Sequence, residues 1–495
     1  MSGIKKVCEI QLKKGGRQQM QQSPNILWIC SDQQRFDTLG CYGNDFVHTP
    51  NIDRLAAGGM KFEHAYCQSP VCTPSRASFL TGRYPRTTRA RQNGQSIPED
   101  EILVTKLLAD AGYVCGLAGK LHLSTCDPVV TNQIERRIND GYSVFNWSHH
   151  PWAEGPSFNT LANEYNQWLA ERGVNYRTVL FGDSKYVAAG MPVESHHSTW
   201  CATKAVHFIE RGAAYSNPWL FSVNFFDPHA PFDPPVEYLQ RYLEMSREIP
   251  LPNYREGELD NKPRGQMYYH RKNQWPYIAM SEEDHRLLRA SYWAMIDLID
   301  QQVGRILDAL EKSGQMENTM IIYMSDHGEM LGDHGIYLKG PFFYDPAIRV
   351  PLIVHGAAVA TSGVASAALV ELADLAPTLL EWAGLPKHPG MQGKSLTPLL
   401  SGESAIHRED IYCEYYNARS DHNEFATMVR TEELKLVVVH GQDIGELYDL
   451  RKDPGESFNV WDDPKYASEK IEMMKRLCDR MAWTADPLPL RNGRF

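Results

Sequence analysis

Four times in this chain a short apolar run ends in a cluster of polar, chemically capable side chains. Asn25 to Cys30 runs into Ser31-Asp32-Gln33, and Tyr113 to Ala118 into Gly119-Lys120-Leu121-His122. Trp219 to Phe225 precedes Asp227-Pro228-His229, and Thr319 to Met324 precedes Ser325-Asp326-His327-Gly328. Apolar runs without polar alternation read as strands covered on both faces, as in a parallel sheet. Helical signals lie between them. Thr49-Pro50-Asn51 opens a helix through Ile52, Leu55 and Ala56 that Gly58-Gly59 closes. Residues 101–111 form a second, stopped by Gly112, and Glu282 to Ser313 carries helical spacing throughout. Alternating strands and helices make the fold class α/β with a large, mostly parallel sheet. In such sheets ligands bind beyond the carboxyl ends of the strands, so the four polar clusters are expected to meet at one edge.

Two stretches break the rhythm. Residues 124–200 and 232–283 are rich in Trp, Tyr, Pro, Asn and charge, with weak periodicity, and read as long insertions over the sheet edge. Trp147, Trp152, Trp168, Tyr268, Tyr269 and Trp275 are candidate pocket liners there, and local packing is the plainer reading for most of them. Past Gly384 the strands become short and turn-separated: Ile411–Tyr416, Met428–Arg430, Leu434–His440 and Leu447–Leu450, followed by a helix near 466–482. The expected organisation is a disordered leader at 1–23, a catalytic domain at 24–400 and a small antiparallel α+β subdomain at 401–495.

Composition narrows the class. With 495 residues, 42% of them hydrophobic and 22% charged, the chain has an ordinary globular balance. A formal net charge of -11 argues against a general nucleic-acid binder. No apolar run is long enough for a transmembrane helix, and the basic, polar N-terminus lacks the apolar stretch of a secretory signal. Ten cysteines in so long a chain form no dense disulfide framework, which points to free thiols, a reducing compartment and a cytoplasmic location.

The most specific segment is Cys72-Thr73-Pro74-Ser75-Arg76, continued through Leu80-Thr81-Gly82-Arg83. Pro74 and Ser75 suit a helix entry, with Ala77, Phe79 and Leu80 following. A nucleophile just before a helix N-terminus meets a positive dipole end and free N–H groups. Arg76 adds a charge able to grip an anion. A buried Cys ahead of a core helix is the bland alternative.

The segment resembles the C-x-P-S-R-x-x-x-L-T-G-R signature of the type I, formylglycine-dependent sulfatases. These belong to the alkaline phosphatase superfamily, so the resemblance implies an α/β/α sandwich. It also implies that a maturing enzyme oxidises Cys72 to formylglycine, whose hydrate is the nucleophile. Asp32, Gln33, Cys72, Asp326 and His327 then stand where the family places ligands for one divalent cation, Ca²⁺, Mg²⁺ or Mn²⁺. Gln33 replaces a second Asp, a pattern similar to choline sulfatases and phosphonate monoester hydrolases, and the nitrogen ligand favours Mn²⁺. Alone, Asp326-His327 would read as a capping pair at a strand–loop junction.

The other motifs carry roles by the same resemblance. Lys120 would neutralise the diol and a sulfate oxygen, and His122 would be the base that frees bound sulfate. His229, in Asp227-Pro228-His229-Ala230-Pro231, would protonate the leaving oxygen, although a turn histidine held by two prolines fits equally well. Lys339, after Gly332-Asp333-His334-Gly335, would bind sulfate and assist departure. Asp333 and His334 in that motif would only hold the turn. The implied reaction hydrolyses a small-molecule or saccharide sulfate ester to an alcohol and sulfate through a covalent sulfo-enzyme. The runner-up is a phosphonate monoester or phosphodiester hydrolase, which Lys120 and His122 oppose. A non-catalytic sulfate or carbohydrate binder is the third reading. Nothing opposes a homo-oligomer.

Overall fold

The structure is a computed structural model that describes residues 23–126, 134–149, 163–272, 274–418 and 423–491. The expected leader therefore falls almost wholly outside the described residues, as does Trp152. The strands, in chain order, begin with β1 (Asn25–Ser31), β2 (Met60–Tyr66), β3 (Val114–Gly119) and β4 (Tyr142–Trp147). A hairpin of β5 (Val179–Leu180) and β6 (Ala188–Ala189) comes next. Then follow β7 (Trp219–Asn224), β8 (Thr319–Ser325), β9 (Arg349–Val350), β10 (Leu352–His355) and β11 (Val364–Glu371). The main sheet has the order β11-β2-β10-β8-β1-β7-β3-β4, with β9 beside β2. From β8 to β4 every pairing is parallel, and β10 alone runs antiparallel to both its neighbours in that path.

Alternate residues of one strand feed two cores. Ile26, Trp28 and Cys30 face one, with Met320, Ile322 and Met324 of β8. Leu27 and Ile29 face the other, with Ile321 and Tyr323. The first core is closed by helices Cys72–Thr81, Val104–Asp110 and Leu375–Trp382, the second by Pro50–Gly58, His197–Gly212 and Glu282–Lys312. Both faces are thus covered, giving the α/β/α sandwich, and each fully buried Leu or Ile contributes about 2 kcal/mol. The long helix Glu282–Lys312 starts on a capping box, Ser281 with Asp284, and has three acidic residues in its first turn.

The C-terminal strands β12 (Ile411–Ala418), β13 (Asn423–Arg430), β14 (Leu434–Val439) and β15 (Glu446–Asp449) form an antiparallel sheet in that order. One face, through Tyr412, Val429 and Leu436, packs on Met473 and Leu477 of the helix Ala467–Trp483. The other, through Ile411, Cys413 and Met428, joins the first core of the main sheet.

Three expectations change. The insertion expected at 124–200 is interrupted by β4, a true strand of the main sheet. The helix expected at 101–111 starts only at Val104. Cys72 is itself the first residue of its helix, with Val71 as the cap, and does not precede it. The cysteines among the described residues are unbridged. Among these residues no helix is long and apolar enough to cross a membrane.

Candidate active site

Strands β8, β1, β7 and β3 are neighbours, and their register sets their carboxyl ends level. Ser31 lies opposite Ser325, and Cys30 and Gly119 each lie opposite Asn224. The residues that follow these strands therefore emerge together. Gly119 is required at the junction. Its φ is +107°, and a Cβ there would sit 1.9 Å from the Asn224 carbonyl oxygen. That close approach brings Lys120 into the site, where its N–H donates to the same carbonyl.

All of these groups converge on Cys72. Its Sγ stands for the oxygen that formylglycine would carry at that position. His327 Nε2 lies 3.1 Å from it, Lys339 Nζ 3.1 Å, Lys120 Nζ 3.7 Å and Asp32 Oδ1 3.7 Å. The rings of His122 and His229 also reach it. Burial alone would push the thiol up, but Lys120, Lys339 and His327 outweigh it and hold Cys72 well below the ordinary thiol range. The pocket is thus built to stabilise negative charge where the nucleophile sits.

Asp32, Cys72, Asp326 and His327 are buried and offer ligand atoms that all lie within 4.8 Å of one another. Two carboxylates and an imidazole suit a divalent cation. His327 is oriented for the task. Its Nδ1 is 2.9 Å from the Gly328 carbonyl oxygen, which can only accept, so Nδ1 carries a proton and Nε2 is the nitrogen turned toward the cluster. The four residues form a divalent-metal site.

Three of the five N–H donors of Arg76 are engaged within it. Its Nη2 donates to Asp32 Oδ2 and its Nε to Asp326 Oδ2, both at 2.8 Å, and its Nη1 donates to the Lys120 carbonyl at 2.9 Å. The charge expected to grip an anion pins the two ligand carboxylates here. Burial and the neighbouring Cys72 push Asp32 up. Lys120, 2.6 Å away, and Arg76 outweigh them and hold it well below the usual carboxylate range.

Gln33 borders the cluster. Its backbone N–H donates to Asp326 Oδ1 at 3.0 Å, and its side-chain oxygen accepts from Lys339 at 2.5 Å. Its side-chain amide donates to Glu329. Gln33 and His122 both hold left-handed backbone, φ 66° and 56°, a costly state for residues other than glycine and one that gathers at functional sites.

The two remaining histidines differ in their ties. Burial and Lys120 push His122 down to about 4, so its ring is neutral near pH 7. Its Nδ1 has no hydrogen-bond partner among the described residues, and the ring packs 4.2 Å from that of His149. His229 is also lowered, by burial and Lys339, and its Nδ1 donates to the Ala230 carbonyl at 2.6 Å, leaving Nε2 toward the site. Asp333 holds Arg35 and Arg289, and His334 pairs with Glu258, so these two tie loops together.

Several site-building residues carried no sequence signal. Glu135, buried in the weakly patterned first insertion, accepts from the backbone N–H groups of His122, Leu123 and Ser124 and from Trp147 Nε1. Glu329 accepts from Leu331, Leu338 and Gln33. Ser75 Oγ donates to the Asp326 carbonyl at 2.5 Å, and only Ser75 lay inside a recognisable motif.

The profile of the family described as "Sulfatase" matches residues 24–385. The chain belongs to the sulfatase family. A second profile, "N-sulphoglucosamine sulphohydrolase, C-terminal", matches residues 332–482. This sulfatase is 30% identical over 479 residues to the uncharacterized sulfatase YidJ of Escherichia coli K12, covering 94% of this chain and 88% of that one. It is 28% identical over 464 residues to an arylsulfatase of Clostridium perfringens, covering 92% and 93%. Among solved structures, the phosphonate monoester hydrolase of Silicibacter pomeroyi superposes with a TM-score of 0.81 at 24% identity, over 94% and 96% of the chains. At that identity the likeness is one of fold. Family, fold and metal site together make this chain a sulfuric ester hydrolase of the formylglycine-dependent kind.

Proposed function

We propose that this sulfatase hydrolyses the sulfate monoester of a small molecule or saccharide, with position 72 matured to formylglycine by a dedicated enzyme. The convergence of Lys120, Lys339, His122, His229 and His327 on Cys72 carries the reading.

Formylglycine at position 72 would supply the nucleophilic hydroxyl, and a divalent cation held by Asp32, Asp326 and His327 would supply charge against that hydroxyl and the sulfate oxygens. Gln33, whose side-chain oxygen accepts from Lys339 here, would be a further residue able to hold the cation. Arg76 fixes both carboxylates, so the cation site costs little reorganisation. Lys120 and Lys339, on two sides of position 72, bind sulfate oxygens and spread their charge. His122, neutral at pH 7, accepts the proton whose removal frees sulfate. His229 serves the leaving oxygen through Nε2. An arriving sulfate ester adds negative charge beside it, which raises its affinity for the proton it must donate.

The second reading, hydrolysis of phosphonate monoesters or phosphodiesters, is favoured by Gln33 and His327 in the ligand region. Lys120 and His122, both in reach of Cys72, favour sulfate. The deciding experiment pairs peptide mass mapping at position 72 with turnover of matched phenyl sulfate and phenyl phosphonate esters in added Ca²⁺, Mg²⁺ or Mn²⁺. Sulfate release that scales with aldehyde occupancy is the expected result. Full occupancy with turnover of the phosphonate alone would replace the first reading with the second.

A further inference from the structure

A cleft of about 760 Å³ opens from the active site, with Gln33, His229 and Lys339 at its inner end. That volume lies within the roughly 300–1,000 Å³ of small-ligand clefts. Its outer wall is the hairpin of the first insertion. Among the described residues three cations line it, Lys339 within and Arg177 and Lys185 on the hairpin, and no carboxylate does. In a chain of net charge -11 this is a local inversion of sign.

Arg177 and Lys185 are not spent on the fold. Among the described residues neither makes an ion pair, whereas Arg35, Arg76, Arg83 and Arg408 are all paired with buried carboxylates. Their backbone is nonetheless anchored. Tyr176, next to Arg177, donates its hydroxyl to the buried Asp233 at 3.0 Å. The Ala188 N–H donates to the Phe232 carbonyl, and that of Gly190 to the Pro234 carbonyl. Two cations on an anchored hairpin, unpaired among the described residues and facing a cleft that no described carboxylate lines, form a site for negative charge apart from the sulfate being cleaved.

We infer that Arg177 and Lys185 are specificity-determining residues that bind a second anionic group, a carboxylate or another sulfate, on the part of the substrate that leaves as the alcohol. The inference rests on the sulfatase reading and deepens it. It also opposes a quaternary ammonium substrate, which two cations would repel.

The test uses four aryl esters: phenyl sulfate, 4-carboxyphenyl sulfate, hydroquinone bis-sulfate and 4-(trimethylammonio)phenyl sulfate. Formylglycine-bearing protein is compared with the double variants Arg177→Ala/Lys185→Ala and Arg177→Glu/Lys185→Glu. For each ester, kcat/KM relative to phenyl sulfate is taken in each protein; comparing proteins cancels differences in leaving-group reactivity. The expected result is a relative kcat/KM about tenfold higher for the doubly anionic esters in the wild type than in the alanine variant, the size that two partly exposed charge pairs supply. The glutamate variant should turn the preference toward the ammonium ester, and added salt should weaken the wild-type preference. The carboxylate and bis-sulfate esters tell the two anion sources apart. Equal relative values in wild type and alanine variant, or wild-type preference for the ammonium ester, overturn the inference. Calorimetric binding of the same esters to Cys72→Ala protein separates the two failures. If the aldehyde-bearing enzyme cleaves no sulfate yet binding still prefers the doubly anionic esters through Arg177 and Lys185, the activity falls and the anion site stands.

Discussion

The two walls of this cleft are built on opposite terms. On the inner side, the strand ends hold Asp32, Asp326, Arg76 and Lys120 almost completely buried, with each charge facing an opposite one at 2.6–2.8 Å. On the outer side, the hairpin has two-residue strands, Val179 and Leu180 are 63% and 62% exposed, and Arg177 and Lys185 are unpaired among the described residues. The second insertion stands between these extremes. Its Glu258 is buried, paired with Lys262 at 2.8 Å and with His334. Chemistry thus sits where reorganisation is expensive, and recognition where a side chain can change without unfolding its neighbours. Four substitutions probe that gradient.

The largest effect belongs to the centre. Cys72→Ala removes the only precursor of formylglycine, and turnover of phenyl sulfate should fall by on the order of 10⁴-fold or more. Circular dichroism should be unchanged, since the helix Cys72–Thr81 accepts Ala at its first residue. Retained turnover would mean that another group attacks sulfur and that the convergence on position 72 has been misread.

Arg76→Met tests whether the inner wall is held by charge. Removing the guanidinium takes the arginine partner from buried Asp326 and leaves Asp32 with Lys120 alone, and loss of one partner from such a network costs about 3–5 kcal/mol. Urea unfolding in the presence of a chelator should show that loss. A divalent cation should recover part of it, because binding to Asp32, Asp326 and His327 stabilises the folded state by mass action. An unfolding curve matching the wild type in chelator would place the carboxylate charge elsewhere. The wild type should also melt at a higher temperature with metal than without it.

How far these walls could be read in advance follows from their construction. Asp32, Lys120, His229 and Asp326 were legible because each follows a continuous apolar run, and a parallel sheet brings such ends together. Arg76 was legible as a charge, but its partners lie 44 and 250 positions away in sequence, beyond the reach of any local pattern. Glu135 was invisible. A single carboxylate in a stretch without periodicity declares nothing until three backbone N–H groups are folded around it. Strand β2 was partly legible, since Met60 and Phe62 are buried while Lys61 and Glu63 are not, yet the intervening charges masked a strand inside the sheet. Strand β4 was hidden for a different reason: it carries no charge and no clean alternation, and only Tyr142 and Trp147, at its ends, are buried.

The second insertion predicts a pH-dependent effect of intermediate size. Burial pushes Glu258 up, but His334 and Lys262 outweigh it and bring the carboxyl down to about 2 from 4.5. A carboxyl that is more acidic in the folded chain stabilises the fold above its unfolded value and loses that contribution as pH falls from about 4.5 toward 2. Glu258→Gln should therefore cost about 2 kcal/mol at pH 7 and progressively less below pH 4.5. Urea unfolding at pH 7, 5 and 3.5 gives the comparison. A cost independent of pH would assign the effect to packing of the 250–262 loop, and the ion pairs would lose their part in holding this wall.

The smallest effect is expected at the hairpin. Leu180 lines the cleft but is largely exposed, so Leu180→Ser should change unfolding free energy by less than about 0.5 kcal/mol. Its effect should appear in KM for aryl sulfates with bulky leaving groups, with kcat nearly unchanged, because the residue can touch the departing alcohol but not position 72. A stability loss above about 1 kcal/mol would show that the hairpin is packed as firmly as the strand ends. A fall in kcat with KM unchanged would make it part of the reaction centre. Either result would erase the division between the two walls. The expected pair, silent in stability and visible only in KM, places substrate selection on the hairpin and leaves the sheet edge to the chemistry.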